Sequence, residues 1–488
     1  MNSIALMEKE IEMFAKNGTD FIDDALIQRQ LGGNERPVRQ RIRDIIQKSL
    51  SIERLEPEET AALLNVTDTE IWNDIFEAAS KIKKTVYDNR IVTFAPLYCS
   101  SYCVNNCLYC AFRSDNKDEK RRVLSFDEIR KETEVLAGEI GHKRLIAVFG
   151  EHPLSDINYI TEAISTIYNV RVKTRTGYGN IRRVNVNAAP FSLDELKLLK
   201  QAGIGTYQVF HETYHHGTYS KVHPKGTIKS NYAWRLYALH RAQEAGIDDV
   251  AIGALFGLYD WRFEVMGLLY HAIDLEKHFG IGPHTISFPR LEPAANTPFI
   301  GETQYKVSDE DFNKLVAVLR LSIPYSGMIL TARETAKIRR QVLPLGVTQI
   351  DASTKIGIGA YSDRYHGQEA ERQQFMLGDT RSLDEVIREL AKSGYITSFC
   401  TAGYRCSRTG KCIMDLLKSG KERWFCKLNA VLTFQEWLND FASPETKAIG
   451  EKLITKEIDE IKVQVPNIYP QFASMYERIS KGERDLYF

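Results

Sequence analysis

Residues 91 to 112 read IVTFAPLYCSSYCVNNCLYCAF. An apolar and β-branched run, Ile91 to Tyr98, leads into a loop carrying Cys103, Cys107 and Cys110 as C-x3-C-x2-C. Further along, runs of the same kind recur as RLIAVFG (144 to 150), RRVNVNA (182 to 188), GTYQVF (205 to 210), DVAIGALFG (249 to 257), HTISFPR (284 to 290), GMILTAR (327 to 333) and VTQIDAS (347 to 353). Between them lie stretches of helical period that end in glycine, such as SLDELKLLKQAG and YAWRLYALHRAQEAG. Strand and helix alternating eight times predict a (β/α)8 barrel, with chemistry at the C-terminal ends of the strands. A doubly wound open sheet has the same periodicity. The pattern divides the chain into a helical region over 1–88, in which Ile42, Ile45, Ile46 and Leu50 repeat at helical spacing, a barrel over 89–355 and a mainly helical, cysteine-containing part over 356–488.

The cysteines are clustered. All eight lie either between Cys99 and Cys110 or between Cys400 and Cys426. Three thiolates on one short loop can hold three corners of a cubane iron–sulfur cluster and leave the fourth iron open to another ligand. The competing use is a closed zinc site, in which Cys99 would join the triplet. A loop that begins at the top of a barrel strand favours the functional reading and leaves Cys99 as a spare buried thiol.

Composition narrows the remaining classes. The chain has 488 residues, 64 Lys plus Arg balanced by 64 Asp plus Glu, 43% hydrophobic and 26% charged residues. Zero net charge argues against nucleic-acid wrapping or membrane steering. No stretch reaches the roughly 18 consecutive apolar residues of a membrane span. The first residues, acidic from Glu8 onward, do not form a secretory signal. A cytoplasmic location is expected, where clustered cysteines bind metals or act in redox chemistry rather than pair as disulfides.

The C-x3-C-x2-C loop, with Tyr109 before its last cysteine, resembles the signature of the radical S-adenosylmethionine (SAM) superfamily. In that superfamily the open iron binds the amino and carboxylate groups of SAM, which is cleaved to a 5′-deoxyadenosyl radical. GEHP at 150–153 resembles the motif that receives the SAM amino group, through Gly150 and Glu151. Glu212, just after the fourth run, and Arg235, in the following helix, are the further expected SAM contacts.

Longer stretches extend the likeness: YQVFHETYHHGTY (207 to 219), GIDDVAIGALFGLYDWRFEV (246 to 265), GPHTISFPRLEPA (282 to 294), GMILTARE (327 to 334), SFCTAGYRCSRTGKCIM (398 to 414) and the terminal GERDLYF. Together they resemble the HydG family of tyrosine lyases, which mature the active-site cluster of FeFe hydrogenases. The shorter 2-iminoacetate synthases are related by chemistry. The resemblance implies a [4Fe-4S] cluster and SAM as cofactors, L-tyrosine as substrate, and p-cresol and dehydroglycine as products of Cα–Cβ scission. It also implies a one-electron reductant such as ferredoxin or flavodoxin and other hydrogenase maturases as partners. An arginine must meet the tyrosine carboxylate, and Arg290 is the first expectation, Arg333 the second, with Ser287 and Tyr98 as polar supports.

In that family an auxiliary cluster, held by C-x2-C-x22-C within a CTACYR motif, converts dehydroglycine to CO and cyanide. Here the motif reads Cys400-Thr401-Ala402-Gly403-Tyr404-Arg405, so the second ligand position is a glycine. Cys426 keeps its spacing, while Cys406 and Cys412 are additional. A rearranged cluster on Cys400, Cys406, Cys412 and Cys426, a zinc remnant, or no metal are the three readings. His284, in GPHTIS, matches the family position that binds a labile iron beside the auxiliary cluster. Two alternatives to the full maturase stand: a lyase-only relative that stops at dehydroglycine or glyoxylate, and an iron–sulfur carrier without turnover.

Overall fold

The computed structural model describes residues 3–33, 37–297, 299–363, 373–399, 401–406, 410–418 and 422–488. All eight anticipated strands form: β1 (Arg90–Ser100), β2 (Arg144–Phe149), β3 (Arg183–Asn187), β4 (Tyr207–Gln208), β5 (Val250–Gly253), β6 (Thr285–Ser287), β7 (Gly327–Leu330) and β8 (Gln349–Asp351). Each pairs in parallel with the next, and β8 returns to β1 through Val92↔Gln349, Thr93↔Ile350 and Phe94↔Asp351. That last pairing closes the barrel and excludes the open sheet. Covered on both faces, the strands are apolar without alternation; ten of the eleven β1 residues are buried.

The connecting helices start and stop on local signals. Ser192 and Glu195, Ser125 and Glu128, and Ser382 and Glu385 form reciprocal capping boxes. Gly203 and Gly246 follow two of the helices with φ of 73° and 84°, a conformation in which a side chain would strain the backbone. The stretch from Tyr232 is less regular than its period suggests, because it breaks at Tyr237 into Tyr232–Leu236 and Ala238–Glu244.

Five N-terminal helices, Ser3–Glu12 to Thr69–Tyr87, pack on the outside of the barrel. Ser49 Oγ donates to Leu321 O at 2.7 Å and Thr60 Oγ1 to Ser322 Oγ at 2.9 Å, fastening them to the helix Asp309–Ser322. At the other end of the chain, β9 (Ile396–Ser398) adds to β1 through Arg90↔Ile396, Ile91↔Thr397 and Val92↔Ser398. β1 is therefore long for a reason: its first residues carry β9, and its later ones carry β2 from Ala95 onward. The helix Glu422–Asp440 docks on the same end through Glu436, which accepts from Arg182 Nη2 at 2.7 Å and lies 3.5 Å from Lys143 Nζ. All three side chains are at most 2% exposed. Pairing offsets the large desolvation cost of three buried charges. From Ile396 onward the C-terminal region thus sits at the N-terminal ends of the strands, opposite the mouth where the cysteine triplet lies. No helix among the described residues is long and apolar enough to cross a membrane.

Candidate active site

A cavity of about 210 Å³ occupies the C-terminal mouth of the barrel. Cys103, Cys107 and Cys110 form one wall; Tyr98, Tyr109, Gly150, Glu151, Glu212, Arg235, Ser287 and Arg333 also line it. Residues drawn from five different strand ends and one helix are thus brought together.

The three thiols are unpaired with any other cysteine. Burial, with the neighbouring thiolates of the triplet adding to it, pushes the Cys107 thiol up and the Cys110 thiol up to about 12. Three mutually repelling thiolates need a cation to coexist, which is what iron ligation supplies. Two side-chain amides point N–H groups at the sulfurs: Asn105 Nδ2 stands 3.7 Å from Cys103 Sγ and Gln374 Nε2 3.6 Å from Cys110 Sγ. N–H groups aimed at sulfur in this way stabilise thiolates that bind metal. Cys99 lies apart, fully buried, with its sulfur 3.7 Å from Leu97 O.

Opposite the loop, Gly150 and Glu151 directly follow β2. A Cβ on Gly150 would come within 2.1 Å of Tyr102 O, so only glycine lets the two segments approach. Val104 N donates to Glu151 O at 2.8 Å, and Asn105 Nδ2 donates to the Glu151 carboxylate, tying the motif to the cysteine loop. Glu212 adopts φ 76°, rare for a non-glycine residue. Its backbone is held by Leu255 N, which donates to Glu212 O at 2.8 Å, and by Glu264 behind the next two residues. The Glu264 carboxylate accepts from Thr213 Oγ1 and, at 2.8 Å, from Tyr214 N. Burial pushes Glu264 up to about 8 despite those hydrogen bonds.

The Glu212 side chain accepts from Lys229 Nζ at 2.8 Å and lies 3.5 Å from Arg235 Nη2. Burial disfavours its charge, but the two cations outweigh that and hold it below the usual carboxylate range. Arg235 is fixed by donation from Nε to Phe210 O at 2.7 Å. Tyr109 turns its hydroxyl to His223 Nε2 at 2.8 Å, leaving a ring wall toward the cavity.

The two arginine expectations separate clearly. Arg290 is spent: its Nε donates to Glu334 Oε1 at 2.9 Å, its Nη2 to Glu334 Oε2, and its Nη1 to Asp309 Oδ1 at 2.9 Å and Val307 O at 3.0 Å. It does not line the cavity. Of the two, only Arg333 is brought to the cavity wall. Arg333 faces the cavity, its guanidinium 3.3 Å from the Phe375 ring centroid, with no ion pair to a described residue. Burial lowers its pKa, the mark of a cation lacking a full counter-charge. Tyr98 OH donates to Gln374 Oε1 at 3.0 Å, and Ser287 ends β6 fully buried.

Lys229, Asn105 and Gln374 were not anticipated. Asn105 lies inside the cysteine motif itself, and Lys229 belongs to a stretch without acids, 213 to 243, which are the signals that could have flagged them. Nothing in the local sequence marks Gln374.

A model of the radical SAM superfamily matches residues 97–265, and one of the biotin and thiamin synthesis associated domain matches 287–396. A crystal structure of HydG, a maturase of the [FeFe]-hydrogenase, superposes with a TM-score of 0.91 at 46% identity, over 96% of this chain and all of the other. The chain belongs to the HydG family. HydG from Carboxydothermus hydrogenoformans superposes with a TM-score of 0.77 at 38% identity over 97% of this chain and 99% of that one. The 2-iminoacetate synthase of Salmonella typhimurium is 29% identical over 352 residues, 72% of this chain and 88% of that protein. Radical SAM and HydG membership carry a [4Fe-4S] cluster and SAM with them, and the donor set of the mouth fits both. The sulfur triplet with its amide donors suits the cluster, and the Gly150 cradle with Glu151 suits an ammonium.

The second cysteine group lies at the opposite mouth. Gly403 is half-buried in the short helix Ala402–Arg405, and Cys400 lies outside the described residues. Cys406 and Cys412 are exposed and Cys426 is half-buried. No three of the described cysteines place their sulfurs within 4.8 Å of one another, the spacing a single ion such as zinc needs; a cubane's corners stand farther apart. His284 stands just before β6 at this same end, its Nδ1 3.7 Å from Asp249 Oδ1. Gly410, which opens the helix bearing Cys412, packs so closely on neighbouring Asp248 that a Cβ would meet its Cγ at 2.9 Å. His284 and the Cys412 helix therefore face the same mouth, far from the triplet.

Proposed function

We propose that this HydG-family protein cleaves the Cα–Cβ bond of L-tyrosine, releasing p-cresol and dehydroglycine. The observation that carries the reading is Arg333, a half-buried guanidinium without an ion-pair partner among the described residues, facing the same cavity as Cys103, Cys107 and Cys110. Cys103, Cys107 and Cys110 would hold the cluster, which would supply the electron for reductive cleavage of SAM and with it the means of hydrogen abstraction from tyrosine.

The chain's own residues do the rest. Glu151 accepts hydrogen bonds from the SAM ammonium, with Gly150 leaving room for it. Arg235 and Lys229 answer the SAM carboxylate and keep Glu212 ionised for a hydroxyl or ammonium contact. Arg333 receives the tyrosine carboxylate as a bidentate pair, which fixes the amino group's position. Ser287 and Tyr98 offer hydroxyls to the remaining polar atoms. Phe375, Tyr109 and Leu255 exclude water from a reaction that produces reactive carbon radicals.

Conversion of dehydroglycine to CO and cyanide would need iron at the second mouth, held by the C-terminal cysteines with His284. Gly403 favours a second reading, in which the reaction ends at dehydroglycine or glyoxylate. Anaerobic incubation with SAM, reductant and each aromatic amino acid, followed by trapping of CO and cyanide, separates the possibilities. p-Cresol from tyrosine is the expected result; 5′-deoxyadenosine formed only with a different amino acid would refute the substrate. CO and cyanide would identify the full maturase, and glyoxylate alone the shorter reaction.

A further inference from the structure

The inner face of the cysteine triplet looks into the cavity, where cofactor and substrate belong. An electron has to arrive from the other side. That outer face is Leu108, half-exposed between two of the thiols, whose backbone N–H donates to Val222 O at 3.1 Å. The segment that wraps it is one-sided in charge: residues 213 to 243 contain no Asp or Glu. Lys229 of that segment turns inward to Glu212, but Lys221 and Lys225 are exposed and form no ion pair with a described residue. Ile228 adds an exposed apolar side chain, 42% accessible. Beside Leu108 opens a hollow of about 590 Å³, walled by Arg113, Lys221 and the stacked rings of His215 and Tyr259, whose centroids are 3.9 Å apart. Glu302 is the carboxylate in its wall.

We infer that this face, centred on Leu108 and bordered by Lys221 and Lys225, docks a small acidic flavodoxin-type electron donor. The inference rests on the cluster being held by Cys103, Cys107 and Cys110. Exposed lysines attract a negatively charged partner, the apolar centre provides desolvated contact, and the ring-lined hollow admits the rim of a flavin or its flanking aromatic side chain. The step itself is balanced simply: the donor's reduced flavin loses one electron, the cluster gains it, and no bond breaks. Approach over Leu108 brings the donor onto the half-exposed residue that lies between Cys107 and Cys110 in the chain.

The test uses full-length holoprotein and a purified flavodoxin, comparing wild type with Lys221→Glu/Lys225→Glu. Flavodoxin affinity, measured by titration calorimetry at low salt, should fall on the order of tenfold or more, and its salt dependence should flatten. Cluster reduction by the flavodoxin hydroquinone, followed by visible absorbance, should slow in parallel, while reduction and SAM cleavage with dithionite stay at the wild-type level. Unchanged flavodoxin affinity in the double variant would overturn the docking surface, and so would equal loss with dithionite, which would place the lysines' effect on the cluster. Reduction by a ferredoxin but not by flavodoxin would overturn the choice of donor. Absence of SAM cleavage with dithionite in the wild type would instead refute the underlying radical SAM reading.

Discussion

Arg333→Gln and Arg290→Gln should have opposite signatures. Arg333 stacks on Phe375, faces the cavity and has no ion-pair partner among the described residues, so its burial is a cost that a substrate carboxylate would repay. A charge-assisted hydrogen bond contributes about 1.5–3 kcal/mol. At 1.4 kcal/mol per factor of ten, loss of that pair should lower kcat/KM for tyrosine about 10- to 150-fold. The carboxylate keeps its charge throughout the reaction, so most of the change should lie in KM. Removing a half-buried cation that Glu212 and Glu292 compensate only in part should leave the melting temperature unchanged or raise it. Arg290→Gln does the reverse. It strands Glu334, which is 2% exposed, while Asp309, 59% exposed, loses little. Breaking a buried pair from one side costs about 3–5 kcal/mol, so the variant should melt earlier yet, below its transition, keep a near-normal KM. Steady-state p-cresol formation and calorimetry on both variants decide the matter. A tenfold rise in KM for Arg290→Gln with none for Arg333→Gln would refute the assignment.

Three further outcomes are expected. Gly150→Ala pushes a methyl against Tyr102 O, and the resulting overpacking of about 1–3 kcal/mol should appear as weakened SAM binding in equilibrium dialysis, with iron content retained. Glu264, held protonated by burial up to about 8 against an ordinary 4.5, contributes stability that is fully present below 4.5 and lost as pH rises through about 8; denaturation of Glu264→Gln should therefore show a flatter pH profile across that window. His216 is opposed by burial but raised to about 9 by Asp20 and Asp24, whose carboxylates it meets at 3.1 and 2.9 Å. Its contribution is present below 6.5 and lost through about 9, so limited proteolysis of the N-terminal segment should speed up over that range in the wild type and be pH-independent in His216→Ala.

The barrel was legible because parallel strands buried on both faces leave uninterrupted apolar runs, and every one of the eight became a strand. β9 was not, since Ile396–Ser398 is three residues long and owes its conformation to the start of β1. At the site, Cys103, Cys107, Cys110, Gly150 and Glu151 were readable because their chemistry depends on close spacing along the chain. The different surroundings of the two arginines were not readable. Arg290 and Arg333 both follow a strand, and what separates them is Glu334, 44 residues from one and adjacent in sequence to the other, yet paired with the distant one. Gln374 likewise meets its partners, Tyr98 and Cys110, far away in the chain. The second mouth was only partly readable: the loss of a thiol at Gly403 is plain in the sequence, but the approach of the Cys412 helix to Asp248 beside His284 is a tertiary fact.

The central claim is that SAM cleavage at this cavity is coupled to tyrosine scission. Its most direct measurement is the amount of p-cresol formed per 5′-deoxyadenosine when holoprotein, SAM, reductant and L-tyrosine are combined without oxygen. Equal amounts are predicted, both abolished when Cys103, Cys107 and Cys110 are replaced by serine. Deoxyadenosine accumulating in the presence of tyrosine with no p-cresol would contradict the account.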